Sequence, residues 1–416
     1  MRVMMLSWEY PPVMVGGLGR HVQALSKSMV HTGHEVTVVT RHAPGAPVEE
    51  WVDGARVLRA PEDPPLFPLS TPTLLAWAMA FNHGLIRAGQ RAAQQAEFDV
   101  IHAHDWLVAQ AAVTLKEQLR LPLVVTIHST EIGRHLGWLP DEMNKRIHSV
   151  ERWLGHEASR VVLCSDYMRQ EASHLLGIDR DRIDVVPNGV DVLLWRTDPS
   201  AVALTRRRYS DAGPLIGYAG RLVYEKGVQT MLHALPELRR RHPGLRLLVA
   251  GDGPHGAQLR ELTNRLELRD VVTFTGFLGD ELPTVMAATD VLVVPSLYEP
   301  FGMVALEAAA AGTPIAAAAT GGLAEFVETG RTGVTFPASN PTALAEAVSG
   351  LLRDGTAARS MAAHARRTVA ARYSWDAVVR GVHGVYRRAV TETSRPPRVR
   401  RTTRVAGLPV QLDGPH

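Results

Sequence analysis

A single cysteine, Cys164, stands among 416 residues, which excludes an intramolecular disulfide framework and a cysteine-based metal site. Long apolar runs are missing: the longest, residues 74–81, falls far short of the roughly 20 residues that a helical membrane span needs. A basic, apolar leader ending in small residues is missing too, because residues 2–6 read as a first strand that runs straight into a glycine loop. Charge of one sign is scarce. The whole net charge of +3 falls in residues 391–416, where Arg395, Arg398, Arg400, Arg401 and Arg404 face Glu392 and Asp413. A neutral body excludes the basic surface that holds nucleic acid. The Arg/Pro-rich tail over 391–416 is expected to be disordered, with at most a weak contact to an anionic membrane or partner. The first glycine loop, 15–20, is not a Gly-x-Gly-x-x-Gly with a following acidic residue, so it lacks the nicotinamide-dinucleotide fingerprint, and no Gly-Lys-Ser/Thr P-loop is present. These absences together fit a cytoplasmic protein.

What is present is alternation. Hydrophobic residues make up 45% and charged residues 21%, the ordinary proportions of a globular chain, and the length is enough for two domains. Short apolar runs predict strands at 3–6, 36–40, 57–59, 100–103, 123–127, 161–164 and 184–186, with helical patterns at 18–32, 74–96, 109–119, 146–158 and 165–176. The pattern pauses at Pro187-Asn188-Gly189-Val190-Asp191, a turn signal. It then restarts with strands at 215–219, 245–250, 271–275, 291–294, 314–318 and 334–336, and helices at 227–242, 256–266, 303–311, 342–353 and 357–371. Strand–helix alternation predicts a parallel sheet covered on both faces. The fold class is therefore α/β, with two tandem Rossmann-like doubly wound domains, 1–190 and 191–372, and a central cleft as the ligand site. A last amphipathic helix, 373–390, is expected to return to the first domain.

Five clusters bear on chemistry. Gly16 and Gly17 precede the first helix, where a close backbone and free N–H groups suit an anion, although any tight turn can use glycines. Arg221 and Lys226 flank the turn after the first strand of the second half. Two cations beside a helix start suit a diphosphate leaving group, and they equally suit a solvated turn. Glu299 and Glu307 bracket a Pro–Phe–Gly turn at a strand's carboxyl end. Along one helix, eight residues span ~12 Å, against roughly 5–9.5 Å for the paired carboxylates of glycosidases. Because Glu299 precedes the helix, the spacing favours two hydroxyl-binding points on one long ligand without excluding a hydrolase. His104, Asp105 and His128 follow two adjacent first-half strands, while His102 and Cys164 read as core. Gly321 and Gly322 form another turn, leading to Glu325.

Taken together, these segments resemble glycosyltransferase family 4 and the related starch and glycogen synthases, over about residues 1–390. The most specific element is EPFGMVALE at 299–307, the E-x7-E signature, joined by SWEYPPVMVGGLGRH, HAHDW at 102–106, PNGVD at 187–191, GRLVYEKG at 220–227 and TGGLAE at 320–325. The resemblance implies the GT-B fold, an acceptor-side first domain and a nucleotide-sugar second domain. It implies that Arg221 and Lys226 hold the donor diphosphate, with Gly16 and Gly17 approaching from the facing domain. Glu299 is expected at the transferred sugar and Glu307 at the ribose, with Phe301, Gly302 and Met303 also on the donor. His128 is expected beside the anomeric carbon, and His104, Asp105, Gly321 and Gly322 on the sugar or acceptor side. Catalytic weight then falls on His128, Arg221, Lys226 and Glu299, with no metal and no cofactor. Such enzymes retain anomeric configuration, and the leaving phosphate takes the acceptor's proton.

One departure matters: bacterial glycogen synthases carry Lys-x-Gly-Gly where this chain has Met14-Val15-Gly16-Gly17. That puts the nucleotide base in doubt. HAHDW, TIHSTEIGRH and TGGLAE most resemble the actinobacterial α-1,4-glucan glucosyltransferases, which extend glycogen or methylglucose lipopolysaccharide. The expected partners are thus a nucleotide diphosphate glucose, carrying ADP or UDP, and an α-glucan acceptor shaped by the 74–96 helix and the 135–144 region. The rival within the class is a GDP-mannose-dependent mannosyltransferase on a lipid acceptor. Outside it stand a sugar-nucleotide epimerase, which typically lacks the E-x7-E run, and a non-catalytic glucan binder, which has no need of both cations and both glutamates.

Overall fold

The computed structural model describes residues 1–60, 69–210 and 212–393, so nearly all of the 391–416 tail lies outside the described residues. Among the described residues, fourteen strands form two sheets. The first contains β1 (Arg2–Leu6), β2 (Glu35–Thr40), β3 (Glu49–Val52), β4 (Ala55–Arg59), β5 (Val100–His104), β6 (Leu123–Ile127), β7 (Arg160–Leu163) and β8 (Ile183–Val185). The second contains β9 (Leu215–Ala219), β10 (Arg246–Ala250), β11 (Val272–Gly276), β12 (Val291–Val294), β13 (Ile315–Ala318) and β14 (Val334–Phe336). The orders are β3-β4-β2-β1-β5-β6-β7-β8 and β11-β10-β9-β12-β13-β14. Every pairing is parallel except β3 with β4. Central strands read as unbroken apolar runs because helices cover both faces: Val3, Met4, Met5 and Leu6 of β1 are all fully buried.

Strand order reverses at β1/β5 in the first sheet and at β9/β12 in the second. At such a switch point the loops leaving the carboxyl ends diverge to opposite faces and open a crevice. The loops concerned are those after β1 (Gly16, Gly17), β5 (Asp105), β9 (Arg221, Lys226) and β12 (Glu299).

The helix Trp375–Thr393 buries Val378, Val379, Val382, Val385, Tyr386 and Ala389. This stripe packs on Val22, Leu25 and Met29 of the first helix, Gly17–His31, and on Val3, Val100, Val124 and Val162 of the first sheet. Val190 N–H donates to the Tyr373 carbonyl at 2.8 Å, so the outgoing and returning segments lie side by side. A Cβ at Gly189 would stand 2.7 Å from the Trp375 ring, which explains the glycine in the PNGVD turn.

The strand pattern misses β3, which pairs antiparallel to β4 across Asp53-Gly54. It also misses the helix Pro199–Tyr209, and it starts the helix Glu142–Glu157 four residues late. The segment expected as one helix over 165–176 is α-helical over Asp166–Glu171 and widens to a π turn over Ala172–Leu176. Among the described residues no helix is long and apolar enough to cross a membrane.

Candidate active site

The second-domain wall is built around Glu299. Its Oε2 accepts from Lys226 Nζ at 2.8 Å and from Ser296 Oγ at 3.0 Å. The two loops are tied together, since Leu297 N–H donates to the Glu225 carbonyl at 2.7 Å. The 320–325 turn folds beneath them, and Gly322 N–H donates to the Glu299 carbonyl at 2.9 Å. Gly321 has φ +51, and a Cβ there would meet that same carbonyl oxygen at 2.0 Å. One at Gly322 would meet Phe301 Cα at 2.7 Å. Backbone packing under Glu299–Phe301 therefore accounts for both glycines without a sugar.

Gly302, at φ +98, heads the helix Met303–Ala311, and no side chain caps it. The first turn thus offers N–H groups to an anion. Arg221 is exposed, with its carbonyl held by Tyr218 Oη at 2.9 Å, and among the described residues its guanidinium forms no ion pair. Phe301 departs from its expected place on the donor: its ring is buried in the core beside Tyr373, 5.9 Å away between centroids. An apolar ring gains more from that burial than from a charged cleft.

Glu307 is half-buried on the same helix, and burial pushes its carboxyl up to about 7, an effect that the Arg20 guanidinium partly offsets. Arg20 belongs to the first helix and lies 6.0 Å from the Phe277 ring of the second domain. It thus reaches across the cleft.

On the first-domain wall, Glu9 is buried and braces the glycine loop. Its Oε2 accepts from Val15 N–H at 2.9 Å and from Gly16 N–H at 3.0 Å. A Cβ added at Gly16 or Gly17 would meet nothing within 4 Å, so open space borders the loop. Asp105 holds φ +59, a region costly for a side chain with a Cβ. From there its Oδ1 accepts from the His128 backbone N–H at 2.8 Å, so Asp105 positions the histidine loop. His104 Nδ1 and His128 Nε2 are 3.2 Å apart, and the His21 ring lies 4.7 Å from that of His128. Burial lowers the pKa of all three histidines and keeps them neutral. These three are the described residues able to hold a metal together. His102, by contrast, is core, bonded to Tyr386 Oη and Thr126 Oγ1 at 2.7 Å each.

Glu9 and His21 escaped assignment from sequence. Both lie inside SWEYPPVMVGGLGRH, and an acid seven residues before adjacent glycines was the available signal.

The domains are clasped beside the site. Glu325 accepts from Tyr167 N–H at 2.7 Å and Asp166 N–H at 3.1 Å. Ser165 Oγ donates to the Pro300 carbonyl at 2.7 Å, and Tyr298 Oη to Glu171 at 2.9 Å.

Two facing switch points, one carrying a cation–carboxylate pair and the other a glycine loop and neutral histidines, define a two-domain transferase of the GT-B kind. Residues 15–192 match the family model described as Glycosyltransferase Family 4, and residues 207–368 match that of Glycosyl transferases group 1. The chain is 40% identical over 398 residues to the glycogen synthase of Mycobacterium tuberculosis, covering 93% of this chain and 94% of that one. It is 33% identical over 397 residues to the D-inositol 3-phosphate glycosyltransferase of Nocardia farcinica, covering 91% and 86%. The sucrose-phosphate synthase of Thermosynechococcus elongatus superposes with a TM-score of 0.80 at 26% identity, covering 94% of this chain and 99% of that one. The chain belongs to glycosyltransferase family 4 and is a hexosyltransferase similar to the glycogen synthases.

Proposed function

We propose that the protein transfers glucose from ADP-glucose or UDP-glucose to an α-1,4-glucan with retention of anomeric configuration. The observation that carries this reading is the Lys226–Glu299 pair, 2.8 Å apart at the β9/β12 switch point. In the free protein each group neutralises the other. An entering diphosphate competes for Lys226, joined by Arg221 and the uncapped N–H groups at Met303. The exchange frees the Glu299 carboxylate to accept hydrogen bonds from the sugar's hydroxyls.

Charge growing on the leaving phosphate is met by fixed cations and dipoles, which is where electrostatic catalysis is strongest. His128, neutral and held by Asp105, lies on the opposite wall to order the sugar, and the departing phosphate takes the acceptor's proton. No metal is assigned to turnover, because Lys226 and Arg221 supply the positive charge. The likeness to a glycogen synthase at 40% identity supports the glucan acceptor.

The test offers purified protein ADP-glucose, UDP-glucose and GDP-mannose, each with glycogen and with a phosphoinositide. Glucose incorporated as α-1,4 linkages is the expected result. Incorporation of mannose alone overturns the proposal in favour of the lipid mannosyltransferase. Lys226→Ala is expected to lower kcat about 10²–10³-fold with the fold intact, and full turnover in that variant removes the diphosphate assignment.

A further inference from the structure

His21, His104 and His128 reach one point of the first-domain wall from three different elements. One ring nitrogen from each can be chosen so that all three lie within 4.8 Å of one another. Ring packing accounts for the closeness, since His21 stands edge-on to His128 at 4.7 Å and to Trp375 at 5.4 Å. It does not account for the nitrogens. Nε2 of His104 is sealed from solvent with no hydrogen-bond partner, while Nδ1 of the same ring faces Nε2 of His128. If His104 carries its proton on Nδ1, a bare lone pair is buried at Nε2. If it carries the proton on Nε2, a donor is buried unused. Either tautomer leaves one atom unsatisfied.

An ion bound at Nδ1 of His104 fixes the proton on Nε2, so the spacing of the ring nitrogens, rather than the orphan atom, is what points to an ion. Two ligands on a tetrahedral ion bonded at roughly 2.0–2.1 Å stand about 3.3 Å apart, close to the 3.2 Å between His104 Nδ1 and His128 Nε2. His21 is partly exposed on the cleft wall and supplies the third ring nitrogen. Neutral imidazole is the metal-binding form. Asp105 and Glu9 add negative charge near His128.

We propose that His21, His104 and His128 form a binding site for a borderline-soft divalent cation of the zinc class, and that its occupancy blocks sugar transfer. Hard Mg²⁺ prefers oxygen ligands and is not a ligand for this site. The binding site stands on geometry alone, whereas the block rests on the proposed transfer reaction at His128.

The test uses the full chain, stripped with a chelator and titrated with CoCl₂. A tetrahedral nitrogen-ligated cobalt spectrum saturating at one ion per chain is expected, with Zn²⁺ displacing the colour. His21→Gln and His104→Gln should each weaken binding at least tenfold; outer-sphere changes alone typically cost 10–100-fold. His21→Gln changes a partly exposed ring, so it tests the site even where His104→Gln perturbs packing. In the transfer assay, Zn²⁺ should inhibit competitively with the nucleotide sugar, EDTA should restore the rate, and Mg²⁺ should do neither. No stoichiometric cobalt binding, or binding that both variants leave unchanged, overturns the site. Stoichiometric binding in a protein that turns over no nucleotide sugar keeps the site and removes the transfer reading. Turnover that bound Zn²⁺ leaves untouched removes the block.

Discussion

Glu307 sits on a helix otherwise made of alanine, leucine and other apolar residues, and its carboxyl ionises only near pH 7. If that carboxylate accepts from the donor's ribose hydroxyls, donor affinity should rise as pH rises through 7. About a tenth of the groups are ionised at pH 6 and about nine tenths at pH 8, so calorimetry should show a roughly tenfold tighter donor at pH 8. Glu307→Gln should flatten that profile. The stability sign is opposite. The folded state keeps this proton above the ordinary 4.5, so folding loses stability between about pH 4.5 and 7, and the Gln variant should melt higher than the parent at pH 8. The glycines separate ligand from scaffold by the same logic. Gly17→Ala meets open space and should keep or raise thermal stability by about 0.4–1 kcal/mol, yet weaken the donor if the donor lies there. Gly321→Ala places a Cβ on the Glu299 carbonyl at positive φ and should destabilise by more than about 1–2 kcal/mol. Equal behaviour of the two variants in melting and donor titration would contradict the assignment of open space to one and packing to the other.

At the scale of elements, legibility followed burial. Strands β1, β5, β6, β9 and β12 lie between covered faces, so apolar runs mark them within a residue. The edge strand β3 carries Glu49, Glu50 and an exposed Trp51, and no apolar run betrays it; the Asp53-Gly54 turn was its only local signal. Helix Pro199–Tyr209 buries none of its residues, so periodicity had nothing to report, although Asp198 caps it and Pro199 starts it. Helix Glu142–Glu157 begins at the Asp141 cap rather than at the first apolar stripe. The returning helix was legible as a stripe, but its bond into the β5 core was not. Tyr386 Oη lies 2.7 Å from His102 Nδ1, joining residues far apart in sequence. Tyr386→Phe leaves a buried ring nitrogen unpartnered, a loss of about 1–3 kcal/mol. Urea unfolding followed by tryptophan fluorescence should show the first domain's transition at lower denaturant. An unchanged transition would mean that His102 finds another partner.

In the whole molecule, the sequence placed Lys226, Glu299, His128 and the glycine loop on loops at carboxyl ends of strands, and strand order brings those after β1, β9 and β12 to the switch points, with the β6 loop of His128 one strand away. It could not show that Glu299 is already paired, that Glu9 braces the facing loop, or that Phe301 turns inward, since each is a tertiary contact between distant segments. Nor could it show the clasp. Glu325 supplies both carboxylate oxygens to the first two N–H groups of the helix at Asp166, a favourable place for a negative charge. The contact is exposed, so water replaces it cheaply, and a charge at a helix start contributes about 0.3–1 kcal/mol. A contribution of that size changes the ratio of closed to open molecules by about two- to fivefold, enough to tune closure without deciding it. Beside it, the Pro300 carbonyl takes Ser165 Oγ, so the clasp grips the very turn that carries Glu299. Opening it should move Glu299 away from the histidine wall and leave each domain's own packing intact. Glu325→Ala is therefore expected to enlarge the radius of gyration of the free protein in small-angle scattering. It should weaken the apparent donor affinity about two- to fivefold and leave the urea transitions in place. A variant equally compact, with unchanged donor affinity, would assign closure to the Tyr298–Glu171 and Ser165–Pro300 contacts instead.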